Sequence, residues 1–349
     1  GRGGAVVGGR EKGAEAGAVR RAAREMAGQM PLPLTYAPAH VVCFSGGHSS
    51  ALVAVEVVRR YGKNGIVLVN HDINPRVEDA DVKRFKREVA DHLGLPITYA
   101  NHPRVDEWDQ FDAVEHARAF KVKNGEELCT NRLKTAPFRA WLAANCPPGS
   151  ATLYYGFDAN EERRIRRRAT IVAEWGYATA YPLAHWPRTI QSTRELGIEP
   201  PLTYSTFKHA NCVGCLKAGW QHWYVVRATR PDVWARAKLA EDRIGHTIHA
   251  DASLEEREAQ FDEMLRAGVE PTERVPHGAF WADARRKVRS LPVMQEERDG
   301  RPCECVYIRA PRRGASEAGP VCDCLAPLGT GHFVHCAKVL GDGQLRRAA

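Results

Sequence analysis

The sequence has no apolar run long enough to cross a bilayer, which excludes a helical membrane span. Its N-terminal stretch, Gly1 to Gln29, lacks aromatics and lacks the apolar core of a secretory signal. Glu11, Glu15 and Glu25 within that stretch argue against a transit peptide. Two phosphate-binding signatures are missing as well. There is no Gly-Lys-Ser/Thr after a glycine loop, hence no Walker A motif, and no Gly-x-Gly-x-x-Gly, hence no dinucleotide fingerprint.

What is present is an ordinary globular composition. Of the 349 residues, 44% are hydrophobic and 26% charged, enough for one large domain with an appendage or for two modest domains. A formal net charge of +8 favours anionic partners, either nucleotides or nucleic acid. Ten cysteines without a secretion signal point to a reducing, cytoplasmic setting, where close cysteine pairs bind metal or do redox work more often than they form disulfides. The Gly-, Ala- and Arg-rich segment 1–37 reads as a disordered basic tail.

The most informative segment follows that tail. His40 to Phe44 is a short apolar run, Ser45-Gly46-Gly47 interrupts it, and helical spacing resumes through Leu52, Val53, Val57 and Val58. This is strand, tight loop, helix. Glycines allow positive φ and close backbone approach, so the loop amides and the helix N-terminus can surround a phosphate. Ser45, Ser49 and Ser50 add hydroxyls to that set. A second buried-type strand, Gly65 to Asn70, ends in His71-Asp72. An amphipathic helix from about Glu78 to Leu93 and a strand at Pro96 to Tyr99 come next. Strands alternating with helices predict an α/β fold with a doubly wound, mostly parallel sheet and a ligand crevice at the carboxyl ends of its strands.

The loop Ser45-Gly46-Gly47-His48-Ser49-Ser50 resembles the Ser-Gly-Gly-x-Asp-Ser loop of the N-type ATP pyrophosphatases, in the adenine nucleotide alpha-hydrolase-like superfamily. Ser49 stands where that family has Asp, a departure that the phosphoadenosine phosphosulfate (PAPS) reductase-like branch tolerates and that removes support for magnesium-assisted cleavage. The resemblance places Asn70 and Asp72, at the end of the second strand, beside the adenosine. Further pieces occur in the order of that branch. Leu128 to Pro137 is similar to its Cys-Cys-x-x-Arg-Lys-x-x-Pro segment, with Cys129 kept and Thr130 in place of the second cysteine. Tyr181-Pro182-Leu183, Trp186 and Gly197 to Tyr204 match its connecting segment, and Cys212-Val213-Gly214-Cys215 matches its later Cys-x-x-Cys. The similarity spans about residues 38–250, which sets three expected regions: the tail 1–37, a PAPS reductase-like nucleotide-binding domain 38–250, and a helical, Cys-rich appendage 251–349.

The resemblance implies ATP or an adenylyl sulfate-type nucleotide at Ser45, Gly46, Gly47, His48, Ser49 and Ser50, with Gly156 alongside. It also implies a metal at Cys129, Cys212 and Cys215, a 4Fe-4S cluster or zinc, while simple redox-active thiols remain an alternative. Tyr154 to Asp158 ends a strand, and Glu161 to Arg168 opens a helix whose Arg163 and Arg164 are candidates to clamp phosphate; with Ser45 they form the expected catalytic set. The PAPS-gripping Gly-x-Arg-x-x-Gln-Ser pattern of the branch is not reproduced here, since Asp158 and Glu161 occupy its early positions. The branch's C-terminal Glu-Cys-Gly-Leu-His nucleophile has no counterpart, Cys336 being the nearest cysteine. Cys303, Cys305, Cys322 and Cys324 form two pairs suited to a second, zinc-type site.

Two function classes follow. One is a PAPS reductase-like enzyme with iron-sulfur or thiol-dependent redox or sulfur-transfer chemistry, served by an electron or sulfur donor protein; ATP-dependent sulfur transfer to tRNA or DNA is its close variant. The other is a non-catalytic, zinc-stabilised nucleic-acid-binding module.

Overall fold

The computed structural model describes residues 38–121, 127–210, 212–289 and 291, and two further short strands at 307–308 and 321–322. In chain order the main elements are β1 (His40–Cys43), α1 (His48–Tyr61), β2 (Ile66–Asn70), α2 (Ala80–Leu93), β3 (Ile97–Tyr99) and α3 (Gln110–Ala117). A single helical turn, Leu128–Thr130, runs into a π-helical turn, Asn131–Thr135. After it come α4 (Ala136–Asn145), β4 (Thr152–Tyr154), α5 (Glu162–Glu174), β5 (Ala178–Ala180), α6 (Trp220–Thr229), α7 (Pro231–Ile244), α8 (Leu254–Arg266) and α9 (His277–Lys287). The strands β6 (Tyr307–Ile308) and β7 (Val321–Cys322) pair antiparallel.

The chain divides into two compact units. The first comprises residues 38–72, 85–106 and 133–199 of the described chain, and the second comprises 73–84, 107–132 and 200 onward.

The first unit is α/β. Its sheet has five strands in the order β3-β2-β1-β4-β5, every neighbouring pair parallel. β2 is Ile-Val-Leu-Val-Asn and is buried along its whole length. That is the pattern of a parallel strand covered on both faces, where alternation of polar and apolar residues is lost. Two apolar clusters account for the covering. Val42, Phe44, Ile66 and Leu68 pack with Leu52, Val53 and Val57 of α1 and with Phe85, Val89 and Leu93 of α2. The residues between them in the strands, Val41, Val67, Val69 and Leu153, pack with Phe138, Trp141 and Leu142 of α4 and Val172 of α5. Each strand thus sends alternate side chains to opposite layers, as the pleat requires.

One buried acid in this unit interrupts the apolar pattern. Glu56, on α1, is 4% exposed. Its Oε1 accepts from the Thr189 amide at 2.6 Å and the Thr189 hydroxyl at 3.0 Å. The carboxylate replaces water as the partner of these groups and fixes the segment after β5 against α1.

The second unit holds the β6–β7 pair and, in the rest of its described residues, helices built on a core in which Trp223, Tyr224, Trp234, Phe261 and Trp281 are buried. The helices α8 and α9 lie in the segment expected to be helical beyond residue 250. α3 starts with a capping box: the Asp109 side chain accepts from the Phe111 and Asp112 amides, and the Asp112 carboxylate accepts from the Asp109 amide at 3.0 Å.

Candidate nucleotide site at the carboxyl edge of the sheet

In the order β3-β2-β1-β4-β5 the chain reverses its direction of growth between β1 and β4. An open parallel sheet has its ligand crevice at that switch, outside the carboxyl ends of the two strands. The loop Ser45 to Gly47 leaves β1 at this place and Gly156 leaves β4.

Gly46 has φ +84°, a left-handed conformation that costs glycine nothing. Gly47 is the N-cap of α1 with φ −86° and ψ 158°, and no side chain caps the helix. The first turn of α1 carries no acidic residue either, so nothing in the side chains offsets the partial positive charge of the helix start. Ser50 is buried, and its hydroxyl donates to the Gly47 carbonyl at 2.8 Å while accepting from the Ser45 hydroxyl at 3.2 Å. These contacts tie the loop to the helix. Gly156 explains the rest of the shape: a Cβ there would lie 3.1 Å from the Ser49 carbonyl carbon and 3.1 Å from the Ser50 nitrogen. The end of β4 and the first turn of α1 therefore approach backbone to backbone.

The other expected residues fall into distinct places. The His48 imidazole is turned to the segment after β5, its Nε2 accepting from the Thr193 amide at 3.2 Å. Burial, with the Arg194 charge nearby, holds its pKa below the ordinary histidine value, in keeping with an acceptor nitrogen. Asn70, the last residue of β2, is buried, and its Nδ2 donates to the Phe44 carbonyl at 2.5 Å. Its amide is a brace for the residue that precedes the loop. Asp72 keeps a half-exposed side chain at the same edge. Arg163 and Arg164 are both exposed on the first turn of α5. Arg164 pairs with Glu161 and lies 4.5 Å over the Phe157 ring, while Arg163 makes no ion pair among the described residues.

Two groups beneath the edge stay uncharged. Burial pushes the Cys43 thiol up to about 12. His71 donates from Nδ1 to the Ala100 carbonyl at 2.6 Å, and desolvation is the main reason its pKa falls to about 4. The unfolded chain binds a proton on His71 below about pH 6.5, whereas the folded chain does so only near pH 4. The stability linked to this group is therefore complete above pH 6.5 and is lost as the pH falls from there to about 4. Urea unfolding is expected to show a slope of up to about 1.4 kcal/mol per pH unit from this group in that window. His71→Asn, whose amide retains a donor, should flatten the slope, and an unchanged slope would remove His71 as its source.

The motif cysteines Cys129, Cys212 and Cys215 lie in the second unit. Cys212 to Cys215 forms a tight turn in which Gly214 has φ +71°, and a Cβ on it would meet Val233 Cγ1 at 2.7 Å. Gln110 Nε2 donates to the Val213 carbonyl at 2.8 Å, and the Val213 amide donates to the Val77 carbonyl at 2.8 Å. The Cys215 amide donates to His222 Nε2 at 3.3 Å, and His222 Nδ1 is 3.0 Å from Glu273. Cys129 and Cys212 pack half-buried against the same core. Among the described residues no three His, Cys, Asp or Glu side chains are arranged to hold a metal ion. Of the second expected set, Cys322 lies on β7, and Cys303, Cys305 and Cys324 lie outside the described residues, as do Cys336 and the tail 1–37.

Two further residues at the sheet edge escaped the sequence reading. Lys86 is 1% exposed and reaches toward Asn70 and Asp72, and Asn101 Oδ1 accepts from the Asp72 amide at 2.8 Å. A signal for Lys86 exists in the sequence. It falls on the stripe Val82, Phe85, Val89, Leu93, where an apolar residue is expected.

No family model matches the chain. No solved structure matches it. It is similar to the uncharacterized nin region protein ORF290 of Escherichia phage lambda, 28% identical over 210 residues that cover 52% of this chain and 67% of that protein. No helix among the described residues is long and apolar enough to cross a membrane.

Proposed function

We propose that the chain is a PAPS reductase-like enzyme that binds ATP or an adenylyl compound at Ser45 to Ser50 and splits or forms a phosphate anhydride or adenylate there. The observation that carries this reading is the uncapped N-terminus of α1 entered through Gly46 and Gly47 at the switch point of a parallel sheet, with Gly156 pressed against its first turn. The amides of a helix start entered through glycines suit a phosphate and, in the transition state, the charge that gathers on its oxygens. Phosphoryl and adenylyl transfer needs positioning and charge stabilisation more than a protein nucleophile, and the Ser45 hydroxyl and the exposed Arg163 are the side chains available for those tasks. Arg164 joins them only if it leaves Glu161. The acceptor we infer is an anionic polymer, tRNA or DNA, for which the exposed Arg163, Arg166 and Arg167 of α5 supply a charged face.

The test is release of pyrophosphate or AMP from ATP, with and without bulk tRNA or single-stranded DNA. Release that rises with nucleic acid is the expected result. Nucleic-acid binding with neither nucleotide binding nor turnover would replace the enzyme with the binding module.

A further inference from the structure

A lysine with 1% of its side chain exposed needs a reason, because an apolar residue at the same place on the inner stripe of α2 would serve packing at least as well. Lys86 has a definite surrounding. Its Nζ is 3.5 Å from Asp72 Oδ1 and donates to Asn70 Oδ1 at 3.4 Å. Asn70 braces the Phe44 carbonyl, one residue before the loop. Asp72 is held from its main chain as well, its amide donating to Asn101. Its side chain is 32% exposed. The acid thus stands two residues beyond β2, backed by a buried ammonium and exposed over about a third of its side chain.

That position has a chemical meaning in a parallel sheet of this order. A nucleotide whose phosphates rest on the loop after β1 carries its ribose toward the end of β2, where a carboxylate accepts from a ribose hydroxyl and repels a ribose phosphate. Resting on the nucleotide reading of the loop, we propose that Asp72, oriented by Lys86, reads the ribose: the site takes adenine nucleotides with free 2′ and 3′ hydroxyls and rejects those with a phosphate on the ribose. PAPS itself falls in the rejected class.

Lys86 is a positioning residue in this scheme, since it touches Asp72 and not the ligand. Losing a hydrogen bond between a charged acceptor and a ribose hydroxyl costs about tenfold or more in affinity. The experiment is calorimetric titration of the wild-type chain with ATP, 2′,3′-dideoxy-ATP, AMP and adenosine 3′,5′-bisphosphate, repeated on Asp72→Ala and Lys86→Met. In the wild type, ATP should bind at least about tenfold tighter than its dideoxy analogue, and AMP tighter than the bisphosphate. Asp72→Ala should close the first gap and narrow the second, and circular dichroism and the urea midpoint accompany the titration because the variant leaves the buried Lys86 ammonium without its carboxylate partner. Lys86→Met should shift both ratios the same way, a change in selectivity that loss of stability alone would not produce. If Lys86→Met does not fold, Asp72→Ala decides alone. Equal affinity of the wild type for AMP and the bisphosphate, or ratios unchanged in Asp72→Ala, would overturn the ribose assignment while leaving the loop intact. Absence of binding by all four nucleotides would overturn the loop reading and this assignment with it.

Discussion

Gly47→Val should abolish nucleotide binding while the protein keeps its fold. The backbone at Gly47 has φ −86° and ψ 158°, an extended conformation that valine prefers, so the substitution brings no backbone strain. Its two methyl groups would occupy the space through which a phosphate reaches the amides of the loop and of α1. A ligand held off by a methyl group loses those hydrogen bonds together, and a loss of about 100-fold or more in affinity is expected for two or three charge-assisted bonds. Circular dichroism and the urea midpoint should stay near those of the wild type. The same substitution at Gly46 is a poorer probe, because φ +84° strains any residue with a Cβ and would confuse folding with binding.

The second large effect is expected at Gly156. The contacts a Cβ would make there are to the Ser49 carbonyl carbon and the Ser50 nitrogen, each at 3.1 Å, and these are main-chain atoms of a helix start that cannot swing aside. Gly156→Val must part β4 from α1. Overpacking of this kind costs about 1–3 kcal/mol, and a β-branched residue against backbone belongs at the upper end. Unlike Gly47→Val, this variant should lower the urea midpoint and weaken nucleotide binding together, because one displacement disturbs both the sheet edge and the loop. Gly156→Ala should show the same pair of changes at smaller size. A Gly156→Val protein as stable as the wild type would contradict the close approach of β4 to the first turn of α1.

Much of the first unit could be read in the sequence because its signals are local. The apolar run at His40, the glycine pair and the helical spacing after Ser50 sit next to one another, and the strand, loop and helix appear where they were expected, with α1 beginning two residues earlier, at His48. β2 was legible as an uninterrupted apolar run. β5 was not: Ala178–Ala180 is Ala-Thr-Ala, three residues at the edge of the sheet with little β-propensity. The features that escaped depend on partners far away in the chain. Glu56 finds Thr189 across 133 positions, and Gly156 meets Ser49 and Ser50 only once the sheet is assembled. Lys86 was hidden for a different reason, because an amphipathic reading assigns a lysine to solvent, whereas here its long apolar stem lies in the interior and its charge ends beside Asp72. The cysteine motifs were visible as spacing, yet spacing does not fix where thiols point; the Cys212 to Cys215 turn is set by Gln110 and Val77, residues that no cysteine pattern includes.

Equilibrium dialysis of ATP against the wild-type chain and Gly47→Val, side by side, tests the central claim most directly. Saturable binding of one ATP per chain by the wild type, lost in a folded Gly47→Val protein, is the predicted result. Binding of ATP that is equal in the two proteins would place the nucleotide away from Ser45 to Ser50 and contradict the account.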